Sequence, residues 1–216
     1  MKSVPKESLR TALLMTFAAV LATVLVAVVD VQPVGVEGTN IGFASINTGF
    51  FAKFGYNETF YKISKLAGIL CYATACGFSL FFLIQLIQRK SLSKVDRNLS
   101  VLMLLYILTS AIYTLFNQVL IINYRPILRD QGLESSYPST HAVIAWVVMV
   151  SSVDQWNIYI ENEKLKIAAV TCSLLVLLVV IVTRMLSGVH WLTDILGGML
   201  IGDMLIAWYR YAASRR

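Results

Sequence analysis

The chain of 216 residues contains two histidines, and each stands at the mouth of a long apolar segment with an arginine and a hydroxyl nearby. His141 closes Tyr137-Pro138-Ser139-Thr140-His141. His190 closes Thr183-Arg184-Met185-Leu186-Ser187-Gly188-Val189-His190, with Asp194 four residues further on. An imidazole exchanges protons near neutral pH, and a group of that kind is costly at a membrane boundary unless it serves a function.

Ser187-Gly188 is a turn signal, so the chain is expected to reverse there, with Arg184 ending one helix and His190 opening the next. Asp194 then falls one helical turn past His190, on the same face and within side-chain reach. A carboxylate bonded to one ring nitrogen fixes the tautomer and leaves the other nitrogen as a nucleophile. Ser139 and Thr140 are cap residues at a helix start whose free N–H groups and positive dipole end favour an anion. His141, beside that anion, is placed to protonate a departing oxygen. Arg125 lies in Tyr124-Arg125-Pro126, where the proline favours an exit from a helix, and with Arg184 it supplies forked donors suited to phosphate. Each residue alone has an ordinary reading as a cap, a snorkelling anchor or an interfacial histidine. Their coincidence on one side of a membrane is what points to chemistry.

The elements that must position them are membrane helices. The chain is 57% hydrophobic and 14% charged, with a mean hydropathy of +0.71, far too apolar for a soluble domain. Runs long enough to cross a bilayer, about 20 residues, fall at roughly Thr11 to Val31, Leu66 to Ile87, Leu99 to Tyr124, Ala142 to Trp156, Lys166 to Thr183 and Trp191 to Tyr209. The expected fold is an all-α polytopic bundle of six transmembrane helices forming one domain over residues 1–216. The first run follows Lys2, Lys6 and Arg10 but is longer than a signal-peptide core, and Gln32-Pro33-Val34-Gly35 offers no small-x-small cleavage site.

Twelve of the eighteen basic residues gather at the N-terminus, after the second run, after the fourth and in the tail. By the positive-inside rule those regions are cytoplasmic, as are both termini, and both histidines then face outward at the cell membrane. The net charge of +6 is thus a topology signal and calls for no nucleic-acid partner. Cys71, Cys76 and Cys172 lie inside expected helices, where small apolar packing is the natural role. The longest connection, Gln32 to Lys65, is either an irregular loop or, over Ile41 to Lys65, a segment lying at the bilayer surface. Trp156, Trp191, Trp208, Tyr124, Tyr137 and Tyr209 fall at expected helix ends and read as interfacial anchors.

Arg125-Pro126, then Pro138-Ser139-Thr140-His141, then Thr183-Arg184 with five residues to His190 and three more to Asp194, resemble the three signature motifs of the type 2 phosphatidic acid phosphatase superfamily. That superfamily also holds vanadium-dependent haloperoxidases and glucose-6-phosphatase. The motifs span residues 118–194, and the helix count matches the family's six-span membrane core. The resemblance implies a metal-independent phosphatase without cofactor. In it His190 attacks phosphorus to give a phosphohistidine, Asp194 orients His190, and His141 protonates the leaving group. Arg125, Arg184, Ser139 and the backbone around Thr140 hold the phosphoryl oxygens. Where the family's first motif begins with lysine this chain has Gln118, about 10.5 Å or two helical turns before Arg125. Gln118 is expected to face the same way, as an uncharged donor of the phosphate site, with Arg129 partly compensating. Thr140 replaces the family's glycine, and Thr183 its frequent serine.

The implied substrate is a lipid phosphate or diphosphate whose tail stays among the membrane lipids: a polyprenyl diphosphate such as undecaprenyl diphosphate, phosphatidylglycerophosphate, phosphatidic acid or diacylglycerol diphosphate. Outward orientation favours the recycled polyprenyl carrier. A catalytically weak or inactive lipid-phosphate binder is the alternative that Gln118 keeps open. A transporter predicts ionisable residues at mid-membrane, where only Asp203 lies fairly deep. A haloperoxidase is disfavoured by the scarcity of soluble structure. Oligomeric state is not readable from the sequence.

Overall fold

The computed structural model describes residues 3–128 and 132–215, so the expected contribution of Arg129 lies outside the described residues. Among the described residues seven α-helices follow in order: α1 Leu9–Val28, α2 Ala44–Phe54, α3 Glu58–Arg89, α4 Arg97–Thr114, α5 Thr140–Tyr159, α6 Glu163–Leu186 and α7 Leu192–Ala213. The only extended pairings among the described residues are the isolated bridges Gln32 with Ile41 and Tyr124 with Ser135, and the all-α expectation holds.

Helix starts follow local capping chemistry. Ser8, Asn57 and Asn162 accept hydrogen bonds from the backbone N–H of Thr11, Phe60 and Leu165, satisfying donors that have no partner within the first turn. Because Asn57 is a cap, α3 begins at Glu58, two turns before the expected Leu66. The long connection before it is neither wholly irregular nor wholly a surface segment: α2 is a helix of 11 residues folded against α7.

Five helices, α1, α3, α4 with its extension to Val119, α6 and α7, are long and apolar enough to cross a membrane. They present leucine, isoleucine and phenylalanine outward, as at Phe17, Leu66, Ile107 and Leu178. α5 equals α1 in length, at 20 residues, but carries buried Ser151, Ser152, Asp154 and Gln155. Its position accounts for them. It packs against α3, α4, α6 and α7 and divides the core, with Val143 and Val147 facing α4 and α7 while Ala145, Val148 and Met149 face α3 and α6. Asp154 is held there by Arg210 of α7 through two hydrogen bonds of 2.9 and 3.1 Å. Asp203, the deep acid expected from the sequence, accepts from Trp146 Nε1 at 2.7 Å.

Three of the aromatic residues assigned to the interface belong to the core. Tyr137, Trp191 and Tyr209 are 1%, 3% and 2% exposed. Each polar tip has an internal partner: Thr23 for Tyr137, the Tyr124 carbonyl for Trp191 and Gln155 for Tyr209. Cys71 is buried, and Cys76 and Cys172 are exposed on the outward faces of α3 and α6.

The run expected as one helix from Leu99 to Tyr124 breaks. α4 gives way to a π-helical turn, Leu115–Val119, and then to irregular chain. Asn117 donates from Nδ2 to the Tyr113 carbonyl and accepts from Ser135 Oγ at 2.6 Å, so a side chain competes for the helix's own acceptor where the ladder opens. Beyond it, the chain on either side of residues 129–131 pairs across, Ser136 N donating to Asn123 O at 2.8 Å and Arg125 N to Glu134 O at 3.0 Å.

α7 runs antiparallel to α1 and α4. Trp208 near the end of α7 donates to Thr16 in the first half of α1, and Arg97 at the start of α4 donates to Ala212 O. The start of α1 and the end of α7 therefore share one end of the bundle. The first turns of α3 and α5, the last turn of α6 and the loop residues 120–128 and 132–139 share the other.

Candidate active site

His190 sits at that second end, 4% exposed, on the connection between α6 and α7. The turn expected at Ser187-Gly188 is formed. Gly188 has φ +65°, and a Cβ there would lie 2.0 Å from the Gly55 carbonyl oxygen, so both conformation and close approach require glycine. Asn57 N donates to the Ser187 carbonyl at 3.0 Å and ties this turn to the start of α3.

The turn ends one step later than the sequence suggested. Trp191, not His190, is the N-cap of α7, and Asp194 occupies its third position, accepting from Trp191 N at 2.9 Å through Oδ2. Asp194 Oδ1 accepts from Asn123 Nδ2 at 3.2 Å. His190 Nδ1 lies 3.6 Å from Asp194 Oδ2 but 3.1 Å from the Ser136 carbonyl oxygen. A carbonyl only accepts, so Nδ1 carries the proton, and the backbone fixes the tautomer with the Asp194 carboxyl group as the more distant partner. Nε2 is left with its lone pair and faces Arg125 Nη1 at 3.5 Å. Burial foremost, then the charges of Arg125, Arg184 and His141, hold the imidazole well below its usual range, so it is neutral at pH 7.

Arg125 is reached through the loop. Its Nε pairs with Glu134 Oε2 at 2.9 Å, which turns its terminal nitrogens toward His190 and the Val189 carbonyl. Arg184, in the last turn of α6, is 1% exposed, with its guanidinium 5.3 Å from the centre of the Tyr61 ring. Thr140 and His141 are the first two residues of α5 and line a cavity of about 760 Å³ together with Arg125, Tyr124 and Glu134. The His141 ring packs against α3 at Gly68, where a Cβ would stand 3.5 Å from its Cδ2.

Ser139 is the N-cap of α5 by position but makes no side-chain cap bond. Its N–H donates to the Asp194 carbonyl at 2.9 Å, while its Oγ is buried without a hydrogen-bond partner among the described residues. A hydroxyl left unmatched beside the start of a helix is poised for a ligand rather than for capping.

The structure thus brings Arg125, Thr140 and His141 to one cavity; His190 stands against Arg125 with Asp194 next to it, Ser139 precedes Thr140, and Arg184 packs on Tyr61, none of these four lining the cavity. Gln118 does not join. The two-turn spacing presumed a continuous helix, but the π turn intervenes, and Gln118 is exposed while its neighbour Asn117 lines the cavity. Residues that sequence reasoning missed are Ser136, which acts through its backbone; Asn123, 0% exposed, which accepts from Gly42 N as well as donating to Asp194; and Glu134. None of the three has a spacing signal, because each reaches the site through loop pairing.

α2 anchors the opening of α7. Asn47 Oδ1 accepts from Thr193 N at 3.2 Å and Asn47 Nδ2 donates to Thr193 Oγ1 at 2.8 Å, supplying a partner to an otherwise unmatched donor of the first turn.

The family model of the PAP2 superfamily matches residues 70–216. No match is found among curated proteins. Among solved structures, the first transmembrane PAP2-type phosphatidylglycerolphosphate phosphatase from Bacillus subtilis superposes with a TM-score of 0.61 at 15% identity, covering 93% of this chain and 94% of that one. At this identity the likeness is one of fold. Aquifex aeolicus LpxE is 23% identical over 70% of this chain and 93% of its own, with a TM-score of 0.34.

Proposed function

The chain belongs to the PAP2 superfamily, and on that premise we propose that it is an integral-membrane phosphatase that hydrolyses a lipid phosphate through a phosphohistidine intermediate. The observation that carries this reading is the state of His190: buried, neutral, with Nδ1–H bonded to the Ser136 carbonyl and the Nε2 lone pair accepting a long hydrogen bond of 3.5 Å from Arg125 Nη1. A neutral imidazole whose lone pair is held only by a long bond from an arginine, which the oxygens of a phosphate draw to themselves, is a nucleophile for phosphorus.

His190 Nε2 forms the N–P bond as the bond from phosphorus to the leaving oxygen breaks. That oxygen takes the proton of His141. Arg125, Arg184, the Ser139 hydroxyl and the backbone at Thr140 hold the phosphoryl oxygens, whose charge grows in the transition state. Water then attacks phosphorus and gives its proton to His141, the P–N bond breaks, and inorganic phosphate leaves. Asp194 opposes the positive charge that His190 acquires while phosphorylated. The two guanidinium groups supply the cationic stabilisation, so no metal ion is assigned a role. Gln118 is given no part.

Residues 1–216 act as one domain, with α5 as a sixth crossing, both termini cytoplasmic and the cavity on the outer face of the cell membrane. Support for that orientation is the distribution of basic residues: Lys6, Arg89, Lys94, Arg97 and Arg215 lie at the bundle end opposite His190. The lipid tail remains in the bilayer beside the apolar helix faces while the head group enters the cavity.

Detergent-purified protein without divalent metal is expected to release phosphate from a panel of phosphatidic acid, phosphatidylglycerophosphate and polyprenyl phosphates and diphosphates. The His190→Ala variant is expected to release none. Wild type and variant that bind these lipids equally yet are both inert would refute the enzyme reading.

A further inference from the structure

α3 carries none of the motif residues, yet its first turns run along the site. Asn57 N, at its cap, donates to the Ser187 carbonyl at 3.0 Å in the turn that leads to His190. The Tyr61 ring has the Arg184 guanidinium 5.3 Å from its centre. Gly68 faces the His141 ring, where a Cβ would stand 3.5 Å from Cδ2. Tyr72 lines the cavity together with Arg125, Thr140 and His141. On an α-helix, residues three and four apart share a face, so positions 61, 65, 68 and 72 form one stripe. The remaining member of that stripe is Lys65, whose Nζ lies 5.5 Å from the centre of the same Tyr61 ring that Arg184 meets. Among the described residues Lys65 has no carboxylate partner, whereas Lys62, off the stripe, pairs with Glu58 at 2.9 Å.

Resting on the phosphatase reading, we propose that Lys65 is a third cation of the phosphate site, one that leaves the Tyr61 ring to pair with a phosphoryl oxygen when substrate enters. A phosphoryl ester carries up to about two negative charges at pH 7. Arg125 already shares its charge with Glu134 at 2.9 Å, and Gln118, exposed past the π turn, brings none. Lys65 is exposed, and its ammonium is a compact charge on a flexible stem. An aromatic face is a weak partner for it compared with a phosphate oxygen, so the ring holds the ammonium beside the site without competing for it. Its depth also fits. The 32 residues of α3 extend roughly 48 Å, more than the hydrocarbon core of about 30 Å, and Lys65 directly precedes the apolar run that begins at Leu66. The ammonium is thereby set at the level of lipid head groups. The family model matches from residue 70 onward, so this cation is a feature of the present chain outside the matched segment.

The probe is vanadate, which mimics the phosphoryl group and has no tail, so the general attraction of lipid head groups to an interfacial lysine does not contribute. Its dissociation constant is measured by calorimetry on the detergent-purified full chain, next to kcat and KM for whichever lipid phosphate is hydrolysed fastest. Lys65→Gln is expected to weaken vanadate binding at least about tenfold, the worth of a hydrogen bond between charged groups, and to raise KM more than it lowers kcat. Lys65→Arg, which keeps the charge, is expected to stay within about threefold of wild type. Lys62→Gln is the control and should bind vanadate as wild type does, since Glu58 already holds that ammonium off the stripe. Unchanged vanadate affinity in Lys65→Gln overturns the proposal and leaves the phosphatase reading intact, as does an equal loss in Lys62→Gln, the mark of a general surface charge. A wild type that binds vanadate but releases phosphate from no lipid refutes the phosphatase reading, and the Lys65→Gln binding ratio still decides the role of Lys65. A wild type that binds no vanadate overturns both. Should Lys65→Gln fail to fold, Lys65→Met, which keeps most of the stem, takes its place.

Discussion

The carbonyl oxygen of Ser136 lies 3.1 Å from Nδ1 of His190, nearer than Asp194 Oδ2 at 3.6 Å. The tautomer of His190 is therefore set by a backbone atom that cannot be substituted, delivered by the loop that also carries Arg125. Asp194 spends its oxygens on Trp191 N and Asn123 Nδ2, at 2.9 and 3.2 Å. It shapes the turn into α7, and its charge is called on when His190 becomes positive.

The division of labour predicts an uneven pair of variants. Where an aspartate alone fixes a catalytic tautomer, converting it to asparagine costs about 10⁴-fold in kcat. With Ser136 holding Nδ1–H, Asp194→Asn is expected to lose roughly 10- to 100-fold, the share due to its charge, whereas His190→Ala falls to background. Phosphate release under saturating lipid measures both, and an Asp194→Asn loss as complete as that of His190→Ala would return the orienting role to the carboxylate.

Because the chain has two histidines, ¹⁵N-histidine labelling yields two ring spin systems in micelles, and the His141→Asn variant assigns them. His190 is expected as the neutral Nδ1–H form at pH 7, titrating well below 6.5 because burial and the charges of Arg125, Arg184 and His141 oppose its protonation. The sign for stability follows. The unfolded chain takes up this proton first as pH falls, so the contribution of His190 to folding is complete above about 6.5 and is lost progressively below it. A resonance titrating at or above 6.5 contradicts the buried, neutral nucleophile.

Ser139→Ala separates a cap from a ligand. A capping serine costs about 1 kcal/mol when removed, but the Ser139 hydroxyl makes no cap bond and is buried without a partner among the described residues. The variant is expected to melt at the wild-type temperature or above it. Its loss is expected in the binding of phosphate, or of vanadate as a pentacoordinate mimic, by about 10-fold, the worth of a hydrogen bond to a charged group. A lowered melting temperature with unchanged vanadate inhibition reverses the assignment.

The helices were legible because apolar runs and caps are local signals, and the motif residues because their types are rare in a membrane chain. Legibility ended where tertiary structure overrides local pattern. The run through Gln118 reads as helix up to Tyr124, yet the bonds of Asn117 to Tyr113 and Ser135 open it into a π turn. They put Asn117, not Gln118, at the cavity. Tyr137, Trp191 and Tyr209 sit at helix ends like any interfacial aromatic, and only the partners Thr23, Tyr124 and Gln155 reveal them as core. Asn123 and Glu134 act across a loop whose pairing has no period to read.

The last prediction concerns the contact that seats this loop on α7. A Cβ at Gly197 would lie 2.3 Å from Tyr137 Cε2 and 2.7 Å from its Cζ and hydroxyl oxygen. The ring cannot swing aside, being 1% exposed with its hydroxyl held by Thr23 Oγ1 at 2.9 Å. Gly197→Ala must therefore push the segment around Tyr137 away from α7, and that segment delivers both the Ser136 carbonyl to His190 and the Ser139 N–H to the Asp194 carbonyl. Overpacking of this kind costs about 1–3 kcal/mol. We expect a lowered melting temperature in detergent together with a fall in kcat, since the nucleophile loses its orienting carbonyl. Gly68→Ala is the control: its Cβ would meet His141 Cδ2 at 3.5 Å, an ordinary van der Waals contact, and its melting temperature should stay near that of wild type. A Gly197→Ala protein as stable and as active as Gly68→Ala would mean that the Tyr137 contact does not seat the loop.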